Sequence, residues 1–167
     1  MLIGDASVII DFESAELLAV IRDLEDVVVV PDLLFEDELS ADLGPAERQP
    51  FRIEQMSAIE VAEADAAAAG PGGTSIYDQL ALILARRVGG ILLTGDQALK
   101  RAAEAVDLEV HGTIWVVERM VGAGLLDLRA AGDAYRRMVD AGGHLPLQDA
   151  LDRLDTFSAT GRFDPVA

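Results

Sequence analysis

Cysteine is absent from this chain, which excludes disulfides and thiolate-held zinc. Basic residues are scarce. Lysine occurs once, at Lys100, and Lys and Arg together number 13 against 30 Asp and Glu, a formal net charge of −17. Such a surface repels phosphate backbones and anionic lipid; it favours metal ions or a basic protein partner, and it also keeps a protein soluble. Aromatic residues are only 5% of the chain, so the core falls to Leu, Val, Ile and Ala. Hydrophobic residues reach 51%, too many for a disordered chain. No apolar run approaches the roughly 20 residues of a spanning helix. Met1 runs straight into an apolar segment, without a basic stretch or a small-residue cleavage site. A cytoplasmic protein with no membrane association is expected. Neither a Gly-x-Gly-x-x-Gly pattern nor a P-loop is present, and His111 and His144 have no metal-ligand spacing.

What is there is a rhythm of short apolar runs and helical segments within 167 residues, the size of one domain. Residues 2–4 are an apolar run that ends in Asp5. A helix is expected from Ser7 or Ser14 to Asp23, and a strand buried on both faces over residues 27–30, four valines in a row. Pro31 and Asp32 open a helix, with Asp32 as its N-cap. Residues 44–50 read as a loop, 51–56 as a short strand and 57–69 as an Ala-rich helix, which Gly70, Pro71, Gly72 and Gly73 end. Residues 75–87 are apolar at helical spacing, and Gly89 and Gly90 stop them. A strand at 91–93, a helix at 97–105, a short strand at 108–110 and a helix at 113–121 follow. Two helices at 130–140 and 146–157 finish the chain, with fraying over the last ten residues. Strands alternating with helices imply an α/β fold, a parallel sheet covered on both faces.

Ligands of such sheets bind at the carboxyl ends of the strands, so the acids there matter most. Asp5 closes the first strand. Glu36, Asp37 and Glu38 lie one to two turns into the helix after the second. Asp96 follows the 91–93 strand by three residues, and Asp78 lies in the first turn of the helix before it. Singly, each has a plain structural explanation. Asp5 and Asp96 suit helix N-caps, and Ser75, Ile76, Tyr77 and Asp78 form a capping-box pattern. The acids at 36–38 suit a solvated face near the positive end of a helix dipole. Together, carboxylates at one sheet edge repel one another unless a cation neutralises them. Hard divalent cations take oxygen ligands, and one or two of them can activate a water against a phosphodiester.

The same segments carry a resemblance. Asp5, Ala6 and Ser7 followed by apolar residues 8–10 resemble the opening Asp-x-Ser signature of PIN domains. Val30, Pro31, Asp32, Leu33, Leu34 and Phe35 followed by acids resemble the second element of that family. Tyr77, Asp78, Gln79 and Leu80 resemble the third, and Leu93, Thr94, Gly95, Asp96 and Gln97 the fourth. His111, Gly112 and Thr113 before a helix are similar to a bacterial and archaeal subgroup. The resemblance implies a three-layer α/β/α fold around a central parallel sheet. Its nuclease core would span residues 1–127, and residues 128–167 would be a helical C-terminal extension of the same domain.

The resemblance also implies a divalent-metal-dependent ribonuclease using Mg²⁺ or Mn²⁺. Asp5, Asp78 and Asp96 are carried over as metal-holding acids, with Ser7 and Thr94 orienting them through their hydroxyls. For the second acid, spacing from Pro31 selects Asp37, with Leu33 and Leu34 on the buried side. Glu36, the nearest residue with the usual side chain of the family, is the alternative. Many similar chains are VapC-type toxins, which implies RNA as substrate, a small basic antitoxin-like partner and a homodimer. The few basic residues depart from this pattern: Lys100, Arg101, Arg86 and Arg87 are the local cluster expected near the site. They leave a second reading open, a partner-binding domain that keeps the fold with weak or no activity. A receiver-like phospho-acceptor domain needs a lysine at a late strand end, whereas Lys100 falls inside a helix.

Overall fold

Short β-branched and leucine-rich runs, each bounded by Gly, Pro or an acid, form the strands. In the computed structural model, which describes residues 1–45 and 47–164, these are β1 (Leu2–Gly4), β2 (Val28–Pro31), β3 (Phe51–Glu54), β4 (Ile91–Leu93) and β5 (Val110–His111). They form one sheet in the order β3-β2-β1-β4-β5, and every pairing is parallel. The helices are α1 (Ala6–Ser14), α2 (Leu18–Ile21), α3 (Asp32–Leu34), α4 (Ala58–Ala68), α5 (Ile76–Val88), α6 (Gln97–Glu104), α7 (Thr113–Gly122), α8 (Leu128–Asp140) and α9 (Leu147–Thr160). A π-helical turn, Phe35–Leu39, continues α3.

The strand order dictates the layers. The chain steps outward from β1 to β2 to β3, then jumps back across β1 to β4 and on to β5. Right-handed crossovers put the helices of these two directions on opposite faces of the sheet. Accordingly α5 packs on β1, β2 and β4 with α4 and α6 beside it, while α1, α7 and α8 pack on one another. The result is a three-layer α/β/α sandwich. α9 packs on α8. Leu2, Ile3, Val29, Val30 and Leu92 are fully buried, as are Leu80, Ala81, Leu84 and Ala85 of α5. Replacing one such leucine by Ala costs about 2–5 kcal/mol. No buried side-chain polar atom among the described residues lacks a partner. Glu118, buried on α7, is held by a two-pronged ion pair with Arg153 of α9, Nη2 to Oε2 at 2.9 Å. Among the described residues no helix is long and apolar enough to cross a membrane.

Several sequence expectations shift. The helix expected to run to Asp23 is two short helices, because Glu16 turns the chain at φ 60° and the Ser14 hydroxyl takes the Asp11 carbonyl. Val27 stays outside β2, half exposed, and the second strand of the C-terminal half lies at Val110–His111 instead of 108–110. Asp32 is not the N-cap of its helix. It occupies the first helical position, and its Oδ1 accepts from the Leu33 and Met56 amides, tying the start of the helix to the end of β3. α9 runs on to Thr160, where Gly161 at φ 72° ends it, so the expected fraying is absent there. The last part of that expectation, residues 165–167, lies outside the described residues.

Candidate active site

The reversal of strand order leaves β1 and β4 side by side with their connections leaving in opposite directions, which opens a crevice at their carboxyl ends. Gly4 lies opposite Leu93 in the register, so Asp5 and Thr94 leave the sheet together. Asp5 is 3% exposed and serves as N-cap of α1. Its Oδ2 accepts from the hydroxyls of Ser7 at 2.8 Å and Thr94 at 2.9 Å, and its Oδ1 accepts from the Ala6 amide at 2.8 Å. Of the roughly four acceptor directions of a carboxylate, three are thus taken and one remains. Both hydroxyls are fixed in turn: Gly95 N donates to Ser7 Oγ, and Asp96 N donates to Thr94 Oγ1. One network therefore locks Asp5 and sets the turn that carries Asp96. Asp96 caps α6, accepting from Leu99 N through Oδ1 at 2.8 Å.

Asp78 closes a complete capping box at the start of α5, with the Ser75 amide donating to its Oδ2 at 2.6 Å. The capping reading of Asp5, Asp78 and Asp96 is therefore correct, and it leaves the second oxygen of Asp78 and Asp96 outside these caps. Burial lifts the Asp78 carboxyl above its ordinary range. Hydrogen bonds with Ser75 draw it back, and the charges of Asp5 and Asp96 lift it further. These two couplings tie the charge of Asp78 to those of Asp5 and Asp96.

The acids at 36–38, after β2, are all exposed and differ in their surroundings; Glu36 makes no side-chain hydrogen bond or ion pair among the described residues. Asp37 accepts the Tyr77 hydroxyl at 3.0 Å, and that bond is the main reason the Tyr77 phenol lies above its ordinary range. Glu38, although exposed, is the one of the three whose carboxyl is raised, by partial burial and then by the charges of Asp5, Asp78 and Asp37. The cause lies in the backbone. Ser40 N donates to Phe35 O, an i to i+5 bond, so the helix holds one residue more in this turn than an α-helix would. Counting at α spacing from Pro31 stops at Asp37, and the wide turn carries Glu38 into that direction. No sequence signal for the extra residue stands in Phe35, Glu36, Asp37, Glu38 or Leu39.

Two further features lie beside the cluster. Asp11 on α1 accepts the Thr113 hydroxyl at 2.7 Å; burial raises its carboxyl, while that bond and the nearby His144 lower it. Its position one turn and a half past Asp5 on an apolar helix is the only hint in the sequence. The expected basic cluster divides. Lys100 stays on α6 next to the site, but Arg86 and Arg87 sit at the far end of α5, about 12 Å along the helix from Asp78. There Arg87 pairs with Glu54 and Glu60, and Arg86 with Glu63.

Among the described residues no ion pair reaches Asp5, Glu38, Asp78 or Asp96. Four oxygen-donor acids without a basic partner among the described residues are the kind of donor a hard divalent cation takes. Among the described residues, however, no three Asp, Glu or His side chains stand close enough to hold an ion directly. Mg²⁺ commonly keeps several waters and uses one or two carboxylates, so the set fits such an ion with water completing the shell.

A family model described as a PIN domain matches residues 1–150 of the chain. No curated protein and no solved structure matches it. The ordered elements, the all-parallel sheet with its central β1, and the acids at the switch point agree with that match. The chain belongs to the PIN-domain family, with a nuclease-type fold.

Proposed function

We propose that this chain is a divalent-metal-dependent ribonuclease whose working acids are Asp5, Glu38, Asp78 and Asp96. The observation that carries this is the hydrogen-bond network in which Ser7 and Thr94 lock Asp5 beside the turn bearing Asp96, with Asp78 and Glu38 charge-coupled to Asp5 and no ion pair to any of the four among the described residues. An Mg²⁺ or Mn²⁺ ion bound there supplies Lewis acidity and lowers the pKa of a bound water. Asp5 offers one fixed lone pair, aimed by Ser7 and Thr94. Asp78 and Asp96 offer their uncapped oxygens from two helix N-termini, whose amides share their charge. Glu38 is the least constrained of the four, and its carboxylate is free to take the proton of an attacking water. Residues 128–167 belong to the same domain in this reading. The test is cleavage of pooled RNA with Mn²⁺ or Mg²⁺ and with chelator. Asp5→Asn and Asp78→Asn should each abolish a metal-dependent product.

A second reading, a partner-binding domain with weak or no activity, draws on the scarcity of basic residues at the site. The toxin version combines the two. An antitoxin-like partner laying an Arg or Lys over the four acids would form charge-assisted bonds with them and shut the site. At −17 the chain would bind such a basic partner quickly at low salt and more slowly at high salt. A pull-down from the native source, followed by binding kinetics over a salt series, tests this partner, and light scattering tests the homodimer. A chain that emerges alone and monomeric removes the toxin version.

A further inference from the structure

Thr94 and Gly95 are a partition with two sides. On one side the Thr94 hydroxyl donates to Asp5 and the Gly95 amide donates to Ser7. On the other, both residues line a cavity of about 300 Å³ whose walls include Gln97, Lys100 and Glu104 of α6, His111 and Trp115, and, at its far side, Asp11 and His144. The aromatic wall is a built feature. The His111 imidazole and the Trp115 indole are stacked with centroids 4.1 Å apart and planes within 2°. The Arg119 guanidinium lies 4.7 Å from the indole centroid and is itself held by Asp26. Positions 111, 115 and 119 are about one helical turn apart, so α7 and its entry strand hold this column in line. Glu109 fixes the imidazole through Nε2 at 3.0 Å. Neither ring is fully buried.

The cavity offers the aromatic column, whose open ring face is that of His111 because Trp115 is covered by His111 and Arg119, and a side-chain amide that both donates and accepts; Lys100 is paired with Glu104 on the same wall at 4.0 Å. That combination suits an uncharged planar heterocycle with polar edges. It also answers a difficulty of the charge. A chain at −17 can draw little affinity from phosphate contacts, whereas base stacking on aromatic rings needs no net positive charge. We propose that this cavity is a nucleobase pocket: it seats one unpaired base of single-stranded RNA against the His111–Trp115 column, and the adjoining phosphodiester then crosses the Thr94–Gly95 partition to the four acids. The choice of RNA rests on the nuclease reading above. The base pocket rests on the cavity and its rings alone. It gives a preference for unpaired over paired substrate, and a weak dependence of binding on salt.

Trp115 is the only tryptophan, so the chain gives a single indole N–H resonance. The metal-free, ¹⁵N-labelled chain is titrated with the four ribonucleosides, which carry no phosphate, and separately with inorganic phosphate. At least one nucleoside should shift the indole resonance to saturation while phosphate leaves it in place. His111→Ala should weaken that nucleoside about 5- to 150-fold, the span of one base–aromatic stack. In cleavage, Trp115→Ala should raise KM for single-stranded RNA several-fold more than Trp115→Phe, which keeps a ring. An indole unmoved by every nucleoside, or moved equally by phosphate, overturns the pocket, and so does an equal KM for the two Trp115 variants. Cleavage that persists in those cases leaves the nuclease reading intact. Nucleoside binding without cleavage in any divalent metal keeps the pocket and removes the nuclease reading.

Discussion

Glu38→Gln and Asp37→Asn differ by one position and should behave in opposite ways. The Gln variant keeps the shape of Glu38 and deletes a charge coupled to Asp5 and Asp78. The Asn variant deletes a charge whose main contact is the Tyr77 hydroxyl, and its amide oxygen can still accept that bond. An ion that binds only the folded chain adds about 2.7 kcal/mol at a hundredfold excess over its Kd. In a domain of this size each kcal/mol moves Tm by about 2–4 °C, so wild-type chain should gain roughly 5–10 °C. Loss of an outer-shell partner alone weakens a metal site about 10- to 100-fold. At the upper end, the same metal concentration equals the new Kd and the gain falls to about 0.4 kcal/mol, a Tm shift of roughly 1–2 °C. The assay is a pair of thermal melts, in chelator and in Mn²⁺, for wild type and each variant. Glu38→Gln should also melt higher than wild type in chelator at neutral pH, because a repelled charge is gone. The reverse pattern, with the metal shift lost in Asp37→Asn and kept in Glu38→Gln, would refute the assignment made from the π-helical turn.

Asp78→Asn should lose cleavage while melting within about 1 kcal/mol of wild type, since Asn retains an acceptor for the Ser75 amide; a destabilised variant that still cleaves would reduce Asp78 to a cap. Asp78 and Glu38 are both raised above their ordinary range, so the folded chain binds more protons than the unfolded chain from that range upward. Its metal-free stability is therefore greatest below the unfolded pKa values and falls as pH rises through the folded ones. Melts in chelator should give a flatter fall in stability above the ordinary carboxylate range for the Glu38→Gln, Asp78→Asn double variant than for wild type. Glu118→Gln breaks the ion pair with Arg153 and should cost about 3 kcal/mol in urea unfolding without touching metal binding. A loss below about 0.5 kcal/mol would show that α9 docks without this pair.

Much of this architecture was legible because local chemistry and global fold agree. Val28, Val29 and Val30 form a central strand, Ser75 and Gly89 bracket α5, and Asp5 caps α1 where its strand ends. Asp5, Asp78 and Asp96 follow from the same logic, since each sits at a boundary that sequence marks well. Glu38, which we propose in place of Asp37, was hidden because its position depends on where one extra residue enters a helix, and a π-helical turn has no composition of its own. The positions of Arg86 and Arg87 were misjudged for another reason. They are near Asp78 along the chain, but they sit at the other end of α5, where Glu54, Glu60 and Glu63 pair with them. His111 and Trp115 read as a loop residue and a helix residue, and only the four-residue spacing across the β5–α7 junction stacks them.

The placement of β1 sets a timetable for synthesis. The first strand to leave the ribosome is the middle strand of the sheet, and its partner on one side, β4, is encoded some 90 residues later. Until Leu93, Thr94 and Asp96 emerge, Asp5 has neither its second neighbour nor the hydroxyl that aims it. Its early pairing with β2 can form from a short loop, whereas the β1–β4 pairing must wait for a long one to close. A nascent chain stopped anywhere before Asp96 therefore holds a half-sheet and an incomplete set of acids. The acids at the sheet edge come together only after residue 96 has followed β1 out of the ribosome, when the α4–α5 layer is already made and ready to cover the sheet.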